Sequence, residues 1–220
     1  MQSSTVQLRC AFAVLLALLI SGCAATRSTF DVTVPAVEAA PPKGFIKVTE
    51  VNDKRHFEGK PSEPSTPSLP DAKDLNNPAI TSRAIARKRG GFGNAMADIL
   101  LPEGRTVQQL VREVVTDAAR QRGYAVVDEK SPKYGEAVPL RVDIQQFWSW
   151  FTPGFAAITL EFEGILVING QVVIPTTEQT VRGSAAIESF AATDGEWQKV
   201  MQKGLANLIE KTKEKIKPAE

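Results

Sequence analysis

An α+β fold is what this sequence predicts: a two-layer sandwich with a mixed or antiparallel sheet of about five to six strands and two amphipathic helices on one face. Three observations lead there. Residues 106–122 and 193–212 each gather their apolar side chains on one side of a helix. Several short segments alternate apolar and polar residues, the pattern of a half-buried strand. Beyond the N-terminal region lie about 175 residues, enough to bury a core in one domain.

The elements follow in order. Residues 45–51 read as a strand with Ile46 and Val48 on one face. From Asn52 to Ile80 the chain is punctuated by Pro61, Pro64, Pro67, Pro70 and Pro78, so no core element is expected, and the Pro-rich stretch 58–78 reads as a loop that is either functional or poorly ordered. Residues 84–87 and 97–101 are weak extended pieces. In the first helix Val107, Leu110, Val111, Val114, Val115, Ala118 and Ala119 form the stripe, Thr106 with Gln109 makes a capping box, and Gly123 supplies the stop. Residues 124–127, 138–144 and 158–168 are strands. Asn169-Gly170 is expected to be a two-residue hairpin turn, with 171–175 returning from it and 180–190 pairing next. Thr193 to Glu196 caps the second helix, whose inner face is Trp197, Val200, Met201, Gly204, Leu205, Leu208, Ile209 and Thr212.

The first 22 residues stand apart from this domain. Arg9 is their only charged side chain, and residues 11–20 are an unbroken apolar run. Ten such residues rise about 15 Å as a helix, roughly half the hydrocarbon thickness of a bilayer, which is too short for a comfortable span. A positive start, an apolar middle and small residues at the end describe an export signal. Leu19-Ile-Ser-Gly-Cys23 resembles a bacterial lipobox. The motif implies cleavage between Gly22 and Cys23 and attachment of diacylglycerol to the Cys23 thiol, giving a lipoprotein that takes up palmitate. Each buried methylene contributes about 0.8 kcal/mol, so two or three acyl chains hold a protein at a membrane where one does not. Ala24, by resemblance to enterobacterial sorting rules, implies the outer membrane, facing the periplasm. Residues 23–43, rich in Ala, Val, Pro and Thr, read as the lipidated N-terminus and a flexible tether, and 44–217 as the single domain.

Composition narrows the chemistry. Cys10 leaves with the signal, so Cys23 is the one cysteine of the mature chain, which excludes a disulfide and a thiolate metal site. Loss of Arg9 leaves 25 basic and 25 acidic residues, a balance that argues against nucleic acid as partner. His56 is the lone histidine, beside the Pro-rich loop, and no Gly-x-Ser-x-Gly occurs, so nothing supports nucleophilic hydrolysis or zinc. Gly90-Gly-Phe-Gly93 follows Arg87-Lys-Arg89 and leads to Asn94, without the Lys-Ser/Thr of a phosphate loop; it reads as a solvated basic turn. Glu161 and Glu163 share one strand face and are the only pair an enzyme acting on envelope polymers could use, but without an opposite partner across a cleft they read as a solvated sheet face. In Phe147-Trp-Ser-Trp-Phe151 the two Trp share one face and the two Phe the other. Either one pair fills the core and the other covers a sheet edge or the interhelix seam, or Trp148 and Trp150 form a contact surface for a protein partner or the lipid interface.

Taken together, the lipobox ending in Cys23, Val51-Asn-Asp-Lys-Arg55, Gly91-Phe-Gly-Asn94 with Ala97-Asp-Ile-Leu100, and Arg122-Gly-Tyr124 resemble the YajG family of uncharacterised bacterial lipoproteins. The resemblance covers most of residues 44–210, but neither the Pro-rich insertion nor the C-terminal helix matches it. It implies an outer-membrane lipoprotein with an α/β domain and no established catalytic residues. The expectation is a non-enzymatic envelope lipoprotein without cofactor, held to the membrane by its covalent lipid and binding a protein or envelope component. The alternative is a lipid-handling accessory subunit of an envelope transport system, with an acyl chain held on the concave side of the sheet or at Trp148 and Trp150.

Overall fold

Alternating apolar residues from Val138 to Ile144, then a phase shift to Phe147 and Phe151, build one strand of 16 residues on which the rest of the molecule is assembled. The structure is a computed structural model that describes residues 27–34, 41–90 and 94–220. In chain order the elements are β1 (Ser28–Thr29), β2 (Gly44–Asp53), α1 (Pro78–Thr81), β3 (Ala84–Arg89), β4 (Ala95–Leu100), α2 (Val107–Arg120), β5 (Tyr124–Val126), β6 (Val138–Pro153), β7 (Ile158–Asn169), β8 (Glu178–Ser189) and α3 (Asp194–Glu214). A 3-10 turn at Asp74–Asn76 precedes α1. Among the described residues the fold is α+β, with three helices on one mixed sheet.

Among the described residues the sheet has eight strands, more than the five to six the sequence predicts. The length of β6 is the reason. Its first half pairs in parallel with β2, from Ile46 opposite Val138 to Asp53 opposite Ile144. Its second half takes β3 on the same flank, Ala86 opposite Ser149. The weak segments therefore join the same sheet: β4 runs antiparallel to β3, and β1 adds in parallel to β4. On the other flank β7 and β8 continue antiparallel, and a bulge between Ile144 and Gln146 resets which face β6 presents.

Where β2 leaves β6 and β3 takes its place, Arg55 fills the junction. Its side chain is fully buried and forms a bidentate pair with Asp53, at 2.8 and 2.7 Å. The guanidinium also donates to the carbonyls of Ala84 (2.6 Å), Phe147 (3.1 Å) and Thr81 (2.8 Å). These carbonyls belong to three segments, which the one guanidinium ties together.

Both long helices lie where their stripes require. Thr106 Oγ1 accepts from Gln109 N–H (3.2 Å) and Gln109 Oε1 accepts from Thr106 N–H (2.9 Å), closing the capping box of α2. Gly123, at φ 85°, ends the turn after it. The buried residues of α3 are the eight the spacing predicts, from Trp197 to Thr212. These faces and the inner residues of β2, β6, β7 and β8 make the main core, in which Phe147 and Phe162 meet edge to face at 5.0 Å.

Three sequence expectations are corrected. The Pro-rich segment packs rather than standing off: Leu69 and Ser68 are fully buried, and Glu58 bridges to Ser68. Leu69, Ala84, Leu100 and Trp148 form a second core on the opposite face of the sheet, with Phe57, Leu75, Ile80 and Trp150 around it. Burying one leucine contributes about 1.5–3 kcal/mol, which accounts for a proline-punctuated segment lying on the sheet. Residues 27–34, assigned to the tether, are docked as well. Ser28 and Thr29 pair with Ile99 and Leu100, Val32 is fully buried, and Arg27 binds Asp98 (2.8 Å) and Asp74 (2.6 Å). Finally, Asn169-Gly170 is no two-residue turn. Asn169 is opposite Glu178, and the intervening loop, with a cis Ile174–Pro175 bond, buries Val172 and Val173. Positive φ among the described residues occurs only at Gly104 and Gly123, so the dihedrals of a primed turn are absent there.

Asp143 on β6 accepts from Asn52 Nδ2 (2.9 Å) and Arg141 Nη2 (2.9 Å). The Asn52 hydrogen bond first, then that from Arg141, holds its carboxyl below the usual carboxylate range. A depressed folded value stabilises the protein above the unfolded value, about pH 4, and that part is lost as pH falls through the folded value. Asp143→Asn is therefore expected to lower the urea midpoint at about pH 7, and the gap to wild type is expected to narrow as pH falls below the unfolded value of about 4. A gap that stays constant with pH would show that the carboxylate charge contributes nothing.

Candidate functional site: the uncovered face of the sheet

β6, β7 and β8 have their helical face covered by α3 and the main core; among the described residues no helix lies over their other face. Strand alternation decides what that face shows. Register places Trp148, Glu163 and Ser184 in one row, and Trp150, Glu161 and Ala186 in the next. Gln146, Ile165 and Arg182 form a third. Together Trp150, Glu161, Glu163, Ser184 and Ala186 line a shallow concavity of about 480 Å³. Beyond it β8 pairs with β7 only, so its far side is a sheet edge. Part of that edge is occupied, since Asn207 Oδ1 of α3 accepts from Ser184 N–H at 3.0 Å.

The two tryptophans expected to share a contact surface are separated. Trp148 is fully buried beneath the Pro-rich segment, edge to face with Phe57 at 6.0 Å, and is core. This corrects its assignment to a contact surface: the apolar ring had a cover that composition concealed. Trp150, one row further, is half-buried at the rim of the concavity. Phe147 and Phe151 fill the main core, as one pair was expected to do.

Glu161 and Glu163 do share a face, and each has a partner. Thr152 Oγ1 donates to Glu161 Oε2 at 2.6 Å, and Arg182 pairs with Glu163. The rest of the concavity is lined by Trp150, Phe162, Ser184, Ala185 and Ala186, with no third carboxylate facing the pair. Such a surface can accept hydrogen bonds and stack against a ring; it has no general acid set opposite a base. His56 is exposed, with Nε2 3.9 Å from Glu58 Oε1. Among the described residues no three His, Cys, Asp or Glu side chains stand close enough to hold a metal ion. A larger concavity, about 590 Å³, lies between β2, β5 and α2, where Arg112 Nη1 donates to the Val48 carbonyl at 2.6 Å.

Gly22 and Cys23, the cleavage and lipidation residues, lie outside the described residues, as do Gly91 to Gly93 of the basic turn. Among the described residues no helix is long and apolar enough to cross a membrane. Sequence reasoning passed over four large apolar residues that the structure exposes: Phe155, Phe190, Met96 and, less fully, Ile174. Nothing local marks them, because their neighbours in sequence are turn and strand-end residues.

No family model matches the chain, and no curated protein matches it. Among solved structures it is similar to a protein described as uncharacterized, at 13% identity and a TM-score of 0.36, over 85% of this chain and 94% of that one. It is also similar to protein XCC0632 from Xanthomonas campestris, of the family DUF330, at 14% identity and a TM-score of 0.40, over 86% and 91% of the two chains. Neither likeness carries a family assignment.

Proposed function

We propose that this protein is a non-enzymatic lipoprotein of the bacterial cell envelope, anchored through Cys23 on the periplasmic side of the outer membrane, whose domain binds a protein or another envelope component. The observation that supports binding is the face of β7, β8 and the Trp150 end of β6 left beside the Pro-rich segment, with half-buried Trp150 at its rim and β8 as an edge among the described residues. Mixed aromatic, small and charged residues with an edge strand suit a protein surface. The lipobox supports the anchor, and the resemblance to the YajG lipoproteins agrees with both. Holding an acyl chain is less well supported, because carboxylates of Glu161 and Glu163 line the concavity and Trp148 is covered.

Anchoring is tested by labelling cells with radioactive palmitate and fractionating their membranes. Label is expected on the wild-type chain in the outer membrane and none on Cys23→Ser; unlabelled wild type would leave a periplasmic domain without an anchor. Binding is tested by placing a photocrosslinking residue at Ala186 in living cells, with Lys130 as the distant control. A discrete adduct at Ala186 alone is expected. Equal or absent adducts at both positions would remove the sheet face as the binding surface.

A further inference from the structure

Three residues, Ala24 to Thr26, separate Cys23 from Arg27, and the four steps from one Cα to the next span at most about 14 Å of extended chain. Arg27 is not free to move away from the domain: its guanidinium meets Asp98 Oδ1 and Oδ2, each at 2.8 Å, and Asp74 at 2.6 Å. Ser28 and Thr29 then enter the sheet. A lipid on Cys23 is thus tied to the edge of the sheet by a short leash rather than by the full stretch to residue 43.

Strand directions say which end of the sheet that leash leaves from. β1 runs parallel to β4, with Ser28 opposite Ile99, so the chain enters from the Ala95 end of β4. β4 follows the β3 hairpin, and β3 runs parallel to β6 with Ala86 opposite Ser149. The end of β3, the start of β4 and the end of β6 therefore lie together. The β6–β7 turn holds Phe155, between paired Pro153 and Ile158. Ile158 in turn is opposite Ser189, which precedes Phe190. Adjacent strands are about 4.8 Å apart, so both phenylalanines project from neighbouring corners of this end. Their exposures are 110% and 91%, and Met96 near the same end is 40% exposed. The N-terminus of α3 is here too, since Asp194 meets Lys88 at 2.9 Å.

We infer that this end of the sheet rests on the phospholipid surface, with Phe155 and Phe190 entering the interface beside the acyl anchor on Cys23. Two aromatic rings left almost wholly in water have no structural purpose in the domain, whereas rings at headgroup depth add apolar burial to the anchor. The same placement turns the loop between β7 and β8, at the other end of the sheet, away from the membrane. It leaves the uncovered face standing roughly upright, open to a partner from the side. The inference rests on lipidation at Cys23.

The test uses the mature acylated chain in phosphatidylcholine vesicles that contain a nitroxide-labelled lipid. Single cysteines replace Phe155, Phe190 or, as the control at the far end, Thr176, and each carries an environment-sensitive fluorophore. The thioether occupies Cys23, so each introduced thiol reacts alone. Positions 155 and 190 are expected to be quenched severalfold more than 176, with blue-shifted emission, because nitroxide contact falls off within the interface. An acylated chain whose labels at 155 and 190 are quenched no more than that at 176 overturns the docking. The intact mass is measured first, and a chain without acyl groups refutes the anchor itself, a separate failure.

Discussion

Arg55→Met is expected to destabilise the domain by about 3–5 kcal/mol, the loss that follows when one partner of a buried ion pair is removed. The guanidinium is fully buried and donates five hydrogen bonds, two to Asp53 and three to carbonyls of Thr81, Ala84 and Phe147. Methionine fills a similar volume but leaves those acceptors without donors. Arg55→Lys should recover little, since one ammonium cannot reach five acceptors spread over a planar fork. Urea unfolding measures the effect as a lower midpoint at unchanged slope. The damage should also spread. Arg55 lies over the Phe57 ring at 5.0 Å, and Phe57 packs on Trp148, so loosening the junction unseats the cover of the second core. A loss below about 1 kcal/mol would mean that water or a relaxed backbone satisfies the three carbonyls without the side chain.

Arg55 also shows where reading the sequence reached its limit. Its carbonyl partners Thr81, Ala84 and Phe147 lie 26, 29 and 92 positions away, and no local pattern connects them. Helices were legible because their signals are local: the Thr106–Gln109 box, Gly123, and a stripe whose members sit three and four apart. Interior strands were legible for the same reason. The Pro-rich segment misled because composition describes its backbone and not Leu69, whose burial depends on a strand reached later in the chain. Asn169-Gly170 has the residues of a tight turn, yet burial of Val172 and Val173 against the main core lengthened the connection. Tertiary packing overrode turn preference there, as it overrode the expectation of a free tether before Gly44. For the candidate site the aromatic cluster was visible, but which tryptophan faced solvent was not. That depended on the Pro-rich segment, which helps bury Trp148 completely and leaves Trp150 half-buried.

Gly183→Ala carries the second large expected effect, and it probes how α3 is seated. Gly164 and Gly183 are direct cross-strand partners on β7 and β8, and Leu208 of α3 lies against both. Gly204 presents the helix's own bare surface to the Phe162 ring. Glycine within a strand costs roughly 0.5–1 kcal/mol relative to alanine, so propensity alone favours replacing each. Packing opposes it unequally. A Cβ on Gly183 would stand 2.5 Å from Leu208 Cα and 2.7 Å from its backbone nitrogen, atoms that move only if the helix moves. A Cβ on Gly164 would meet Leu208 Cδ2 at 2.8 Å, the end of a side chain that can rotate. Gly183→Ala is therefore expected to lose about 1–3 kcal/mol or more, and Gly164→Ala much less, in parallel urea titrations. Lifting α3 would also draw Asp194 from Lys88 at the end of the sheet that carries Phe190, so the Gly183 variant should weaken vesicle contact at that position as well. If the two alanine variants prove equally stable, the helix has room to slide, and its N-terminus is not fixed by the glycine pair.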